Sequence, residues 1–254
     1  MNKTKVLLLL VLTALLGAYF FLGTLLGRGI TAAVNKYGPP LTGTTVTLGA
    51  ARLSPFTGAG SLGDLRVGNP SGFKTAKAFS VDQITVKVKP MSLLGDTIEV
   101  EEVIVRNPEF IFETTLLTSN LGTILANIEK NAGIEQRHPA STAAEADSAK
   151  KLIIRHFILE GAKANITAGK TVLTVPLATL ELHDVGVAKG GVTPAEAAAE
   201  ILPQVISMVT RTAVSTLGDR DFRDKAVDFG TELGAAAEQL FNEVTGKAQK
   251  KPQP

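Results

Sequence analysis

The sequence predicts a mainly β protein with C-terminal helices, preceded by a single transmembrane helix. Three observations carry that prediction. An uncharged run fills Val6 to Gly27. Alternating apolar and polar residues, punctuated by Gly, Pro and Asn, extend from Thr44 to Glu113 and resume from Lys151 to Val185. Apolar residues spaced by threes and fours take over after Thr193. Among the 254 residues, 26 Lys and Arg nearly balance 24 Asp and Glu. The chain therefore lacks the basic excess of a nucleic-acid binder, and no nucleic acid is expected as a partner. The absence of cysteine removes disulfides, thiolate metal sites and cysteine nucleophiles together.

As a helix, Val6 to Gly27 would be about 33 Å long, enough to cross a hydrocarbon core of about 30 Å. The apolar region of a signal peptide is shorter, about 7–15 residues, and ends at a small-residue cleavage site. Here Arg28 follows the run without a clear A-x-A pattern. Residues 1–28 are read as an uncleaved anchor that enters the membrane through residues 6–27, with Gly29 to Ala33 leaving a cleaved signal as the alternative. Lys3 and Lys5 before the run and Arg28 and Lys36 after it orient the span only weakly. A short head with almost nothing to translocate stays cytoplasmic most simply, which places the body on the other side of the membrane.

Residues 29–130 form a first β-block. Ile84, Val86 and Val88 alternate with Thr85, Lys87 and Lys89, the two-residue period of a half-buried strand. Phe79 and Val81 lie on the opposite parity, so a bulge is expected at Asp82 or Gln83. The same change separates Ile98 and Val100 from Val103 and Val105, across Glu101-Glu102. It returns between Leu173, Val175 and Leu177 and the later pair Leu180 and Leu182. Strands that keep changing parity predict a strongly twisted, curved sheet. Turn signals at Gly68-Asn69-Pro70, Lys89-Pro90, Gly95-Asp96 and Asn107-Pro108 divide the block into an antiparallel meander.

A short helix is expected from Ser119 or Asn120, with Leu121, Leu125 and Ile128 on one side. Residues 131–150, poor in large apolar side chains, read as a flexible linker. A second β-block covers 151–190. In the helical region 191–247, Thr193 caps a helix that begins at Pro194. Its inner face carries Ala198, Ile201, Leu202, Val205, Met208, Val209 and Ala213, and Pro203 is expected to kink it. A second amphipathic helix carries Phe222, Phe229, Leu233, Leu240 and Val244, and 248–254 is a disordered tail. The two helices are expected to cover or flank the sheet.

No catalytic constellation, cofactor motif or metal-ligand spacing is present. His138, His156 and His183 do not form an H-x-x-x-H pattern. His156 reads as a structural strand residue and His183-Asp184 as a strand-end turn. Glu101 and Glu102 are neighbours that point to opposite faces of a regular strand, which does not suit an acid–base pair. Gly58-Ala59-Gly60-Ser61-Leu62-Gly63 has the letters of a dinucleotide loop, but Leu65 and Val67 continue as strand where that motif needs a helix. The expected work is therefore binding or scaffolding, not catalysis. The candidate surface is an apolar sheet face, a groove lined by Phe79, Val81, Ile84, Val86, Val88, Ile98, Val100, Val103 and Val105.

The turns carry a further signal. Asn69-Pro70-Ser71-Gly72-Phe73, then Ser92-Leu93-Leu94-Gly95-Asp96-Thr97-Ile98, then Asn107-Pro108 and Ser119-Asn120-Leu121 follow one another behind an N-terminal span. This succession resembles the N-terminal part of AsmA-like envelope proteins, closely over about residues 1–130 and loosely over 151–187. The resemblance implies a bacterial inner-membrane protein that crosses once and holds its body in the periplasm. It implies a relation to bridge-like lipid transfer proteins, with phospholipid and other envelope proteins as partners. Lipid handling or envelope maintenance is the expected function, and a non-catalytic scaffold of an envelope complex is the alternative. About ten strands at about 4.8 Å spacing would extend only about 45–50 Å, short of a complete bridge between two membranes.

Overall fold

The computed structural model describes residues 3–114, 118–133, 150–168 and 171–217, with side chains described at 22–114, 118–133, 150–166 and 172–216. Most of the expected linker, the second amphipathic helix from Phe222 to Val244 and the expected tail lie outside the described residues. Helix α1 (Lys3–Thr42) continues well past Arg28. Among the described residues no helix is long and apolar enough to cross a membrane; the side chains of the expected span up to residue 21 lie outside that description. The helix ends for identifiable reasons. Gly43 takes a left-handed φ of 68° and its N–H returns to the Pro39 carbonyl at 2.9 Å. The last carbonyls, of Pro40, Leu41 and Thr42, accept from the side-chain amides of Asn131 and Asn127.

Nine strands follow: β1 (Val46–Leu53), β2 (Ala59–Gly68), β3 (Lys77–Val88), β4 (Thr97–Arg106), β5 (Glu109–Phe112), β6 (Lys151–Glu160), β7 (Lys163–Ala168), β8 (Thr171–Pro176) and β9 (Leu180–Val185). Helix α2 (Asn120–Asn131) separates β5 from β6, and α3 (Pro194–Leu217) follows β9. All nine strands form one sheet. It is mixed, which corrects the expected antiparallel sheet: β6 joins β4, and β7 joins β5, in parallel. After α2 the chain re-enters the sheet at Lys151 beside Thr97, the starting end of β4, so β6 can only run parallel to it. The glycine-rich letters at 58–63 lie mostly in β2, as its continuing strand pattern predicts.

Three pairs of strands are collinear. β4 and β5 keep one register on β3, with Gln83 opposite Arg106 and Ser80 opposite Glu109. β6 and β7 do the same on β4 and β5, with Arg106 beside Glu160 and Glu109 beside Lys163. β9 and β8 continue the series, with Leu159 opposite Leu180 and Lys163 opposite Pro176. The sheet is thus only six ribbons wide, about 24 Å at about 4.8 Å spacing, half of what a strand count suggests.

The breaks between collinear strands fall on one transverse seam. Counting along the registers, Gly49, Asp64, Asp82, Asn107, Gly161 and Ala178 stand at the same rank across the sheet. Asp64, Asn107 and Gly161 have φ of 54°, 50° and 64°, a left-handed conformation that Gly, Asn and Asp tolerate best. Backbone bonds from Asn107 N–H to Glu160 and from Lys163 N–H to Pro108 hold the ribbons together across the seam. On one side of it the inward residues are Val46, Leu48, Val67, Val81, Phe110 and Phe112. On the other they are Leu53, Ile84, Val88, Val105 and Leu159. The seam explains the parity change in β3, and no register shift occurs at Asp82 or Gln83. The register shift between Lys87 and Val88 does fall opposite Glu101, the second expected site.

Helix α2 is capped by the Ser119 hydroxyl, which accepts from the Gly122 N–H at 3.1 Å. It buries Leu121, Ile124 and Ile128, so Ile124 rather than Leu125 completes its inner stripe. Helix α3 opens with a capping box: Glu196 accepts from the Thr193 N–H and hydroxyl, and the Thr193 hydroxyl accepts from the Glu196 N–H. It buries Ala197, Val205, Val209 and Ala213, with Pro203 inside the helix. One apolar core joins the two helices to the sheet.

Candidate functional site

The candidate site is best understood through the two ends of the sheet. One end, here called proximal, holds the β1–β2 and β3–β4 turns, and α1 runs out past it toward its own N-terminus. The other, distal, end holds the β2–β3 turn and the entry to α2.

Helix α1 runs antiparallel along the outer edge of β1. Asn35 replaces a strand partner there. Its side-chain amide oxygen accepts from the Leu48 N–H at 2.6 Å, and its amide nitrogen donates to the Leu48 carbonyl at 3.2 Å. This answers the open-edge backbone groups that would otherwise invite another strand. Further along, Gly27 touches the strand so closely that a Cβ would stand 2.2 Å from the Ala51 carbonyl oxygen. Gly23 lies level with Leu53, so the helix passes the last residue of β1 and continues beyond it.

Helix α3 packs on β6, β7 and β9, toward the edge of the sheet opposite the one that α1 follows. Between the two helices, the proximal halves of β2, β3 and β4 carry Leu62, Val86, Val100 and Val103, all half-buried. A cavity of about 910 Å³ opens between α1 and β1–β2, a size within the about 300–1,000 Å³ range of small-ligand sites. Its wall is made of small residues such as Gly23, Gly27, Gly49 and Gly60, with Arg28 and Arg52 among them. Neither arginine pairs with a carboxylate among the described residues.

Of the nine residues expected to line a groove, Val81, Ile84, Val88 and Val105 are buried, and Phe79, Val86, Ile98, Val100 and Val103 are half-buried. All but Val88 and Ile98 belong to the apolar core or pack against it, and Phe79 stacks on Phe110 at 5.7 Å. None of the nine lines the cavity. The glycines that shape it carry no side-chain pattern, so periodicity does not point to them.

At the proximal end three large apolar side chains face solvent: Phe56 at 65% exposure in the β1–β2 turn, and Met91 and Leu94 at 73% and 82% in a 3-10 turn (Pro90–Leu94). The two turns adjoin, because the Val88 N–H donates to the Gly58 carbonyl. On α1 itself Leu22 and Leu25 are exposed at the same level. Lys150 donates to the Leu93 and Gly95 carbonyls, adding a cation to this rim.

The distal end is built differently. Asn120, fully buried, donates to the Asn69 side chain at 2.8 Å and the Ile111 carbonyl at 2.7 Å, and accepts from the Glu113 N–H at 3.1 Å. Glu113, also buried, accepts from the N–H groups of Lys74 and Thr75, the Thr75 hydroxyl and the Asn69 amide. Burial works to raise its pKa, but the bonds from Thr75, Lys74 and Asn69 outweigh that and hold the carboxyl below the usual glutamate range. Asn69 and Asn120, two of the turn residues that stand out in the sequence, are thus fasteners of the fold.

The structure also joins residues that the sequence separates. His156 and His183 face each other across β6 and β9, rings stacked with centroids 4.6 Å apart. His183 lies inside β9, not in a strand-end turn. Their meeting is a fact of register, with no spacing signal in the chain. Nearby, Arg155 bonds both Glu99 and Asp184 at 3.0 Å. The bonds from Arg155 and then Lys89 pull the Glu99 carboxyl below its ordinary pKa.

The sequence model of the AsmA family matches residues 5–247, nearly the whole chain. No curated protein matches it.

Proposed function

Because the chain belongs to the AsmA family, an envelope-associated family, we propose that it is anchored in the bacterial inner membrane by residues 6–27, with its body in the periplasm. In this reading it takes up phospholipid at the proximal end of the sheet. The observation that carries the reading is the composition of that end. Phe56, Met91 and Leu94 project where α1 leaves the sheet toward its apolar run. Aromatic and aliphatic tips with a basic neighbour suit a bilayer surface. Beside them the cavity offers Arg28 and Arg52 to an anionic headgroup, and half-buried Leu62 and Val86 stand on the adjoining strands. Each methylene withdrawn from water onto such a surface contributes about 0.8 kcal/mol, so a short stretch of acyl chain is enough for useful affinity. The protein acts here by binding, without catalysis.

The test is mass spectrometry of the full chain purified in detergent. Phospholipid should co-purify with the wild type and be strongly reduced in the double variant Arg28→Glu, Arg52→Glu. Wild-type protein that carries no phospholipid, and takes none from anionic vesicles, would end the lipid reading. The scaffold of an envelope complex would then stand in its place.

A further inference from the structure

We propose that His156, Glu181 and His183 form a binding site for one late first-row divalent cation, such as zinc, on the face of the sheet opposite the helices. The placement follows from strand alternation. Phe157 and Leu182 point into the core, so their neighbours His156, Glu181 and His183 point the other way. His156 and His183 are directly opposed, and Glu181 is two residues from His183 on the same face of β9. Their ligand atoms all lie within 4.8 Å of one another.

A second observation points to a ligand. The Nε2 of His156 is shielded from solvent and has no hydrogen-bond partner among the described residues. Glu181 approaches it at 3.6 Å, too far for a hydrogen bond. A buried imidazole nitrogen left unanswered is unfavourable, and a metal ion satisfies it. The adjacent acid does not compete, because Asp184 is engaged by Arg155, while Glu181 forms no other ion pair among the described residues. Two imidazoles and a carboxylate suit zinc, cobalt, nickel or copper and disfavour magnesium and calcium. Metal–ligand bonds of about 2.0–2.1 Å would draw the ligand atoms to roughly 3.4 Å apart, within reach of side-chain rotation by the exposed His183 and Glu181. Three protein ligands leave a coordination position open to water or to a further donor.

The experiment uses the full chain in detergent, purified through a histidine-free tag and stripped of metal. Titration with cobalt(II) should reach one ion per chain and produce a visible d–d absorption band, and zinc(II) should displace it. His156→Gln and His183→Gln should each weaken binding by about tenfold or more, whereas His138→Gln should leave it unchanged. His183 is exposed, so its variant reports even if His156→Gln fails to fold. Zinc should raise the melting temperature of the wild type but not of His183→Gln. Absence of stoichiometric binding, or binding indifferent to His183→Gln, would overturn the proposal. Neither outcome bears on lipid uptake, which is read out at the cavity between α1 and β1–β2.

Discussion

At the distal end of the sheet, half-buried Asn69 and buried Glu113 and Asn120 satisfy one another's polar atoms. At the proximal end, Phe56, Met91 and Leu94 leave apolar surface in contact with it. One end closes with buried hydrogen bonds, which are directional and fix a single geometry. The other has the hydrogen bonds of its turns but also displays large apolar side chains to solvent, the mark of a surface that meets something else. The contrast teaches where stability and where function are concentrated: substitutions at the distal end should unfold the protein, and substitutions at the proximal end should change what it touches.

The largest expected effect is at the distal end. Asn120→Ala removes the donor to Asn69 and Ile111 and the acceptor for Glu113, and should cost about 3 kcal/mol in equilibrium denaturation. A value near that of a surface substitution would break the comparison. Next is Gly27→Leu, which must push α1 off the Ala51 carbonyl and should cost about 2 kcal/mol. It would also enlarge or distort the cavity, so lipid retention should change with it.

A third test uses acid. The folded pKa of Glu113 lies below its unfolded value, so its contribution is fully present above the unfolded pKa. It is lost as pH falls through the lower folded value. Stability should therefore decline on the acid side, and Glu113→Gln should be less stable at neutral pH with a shallower acid decline. Denaturation across a pH series checks both. The smallest stability effect belongs to the proximal end. The triple variant Phe56→Asp, Met91→Asp, Leu94→Asp should change stability by no more than about 0.5 kcal/mol. Its association with anionic vesicles should nevertheless fall clearly in a flotation assay.

Much of this was legible in residues 1–217. Alternation located the strands, and Ser119 and Thr193 marked the two helix starts that the structure caps. The parity changes were visible too, at Val81 to Ile84, across Glu101-Glu102 and between Leu177 and Leu180. The change across Glu101-Glu102 is a local bulge, but the other two share a cause that was not visible, because a seam is a relation among six ribbons and each ribbon alone suggests only a local bulge. Likewise the parallel entry of β6 depends on the chain re-entering the sheet beside Thr97, which local pattern does not encode. At the candidate site, the apolar face was readable from Ile84, Val86 and Val88, but the cavity was not, since Gly23, Gly27, Gly49 and Gly60 shape it by having no side chains. His156 and His183 gave no motif because partners across a sheet have no fixed spacing.

The seam also constrains how this protein can change. Asp64, Asn107 and Gly161 turn their ribbons over at one shared rank, so each ribbon's inner and outer sides are in phase with its neighbours'. A residue gained or lost within any single ribbon would shift that phase and bring charged side chains inward along the rest of its length. Length variation is therefore expected to gather in the connections, while the ribbons vary only by exchange of one residue for another.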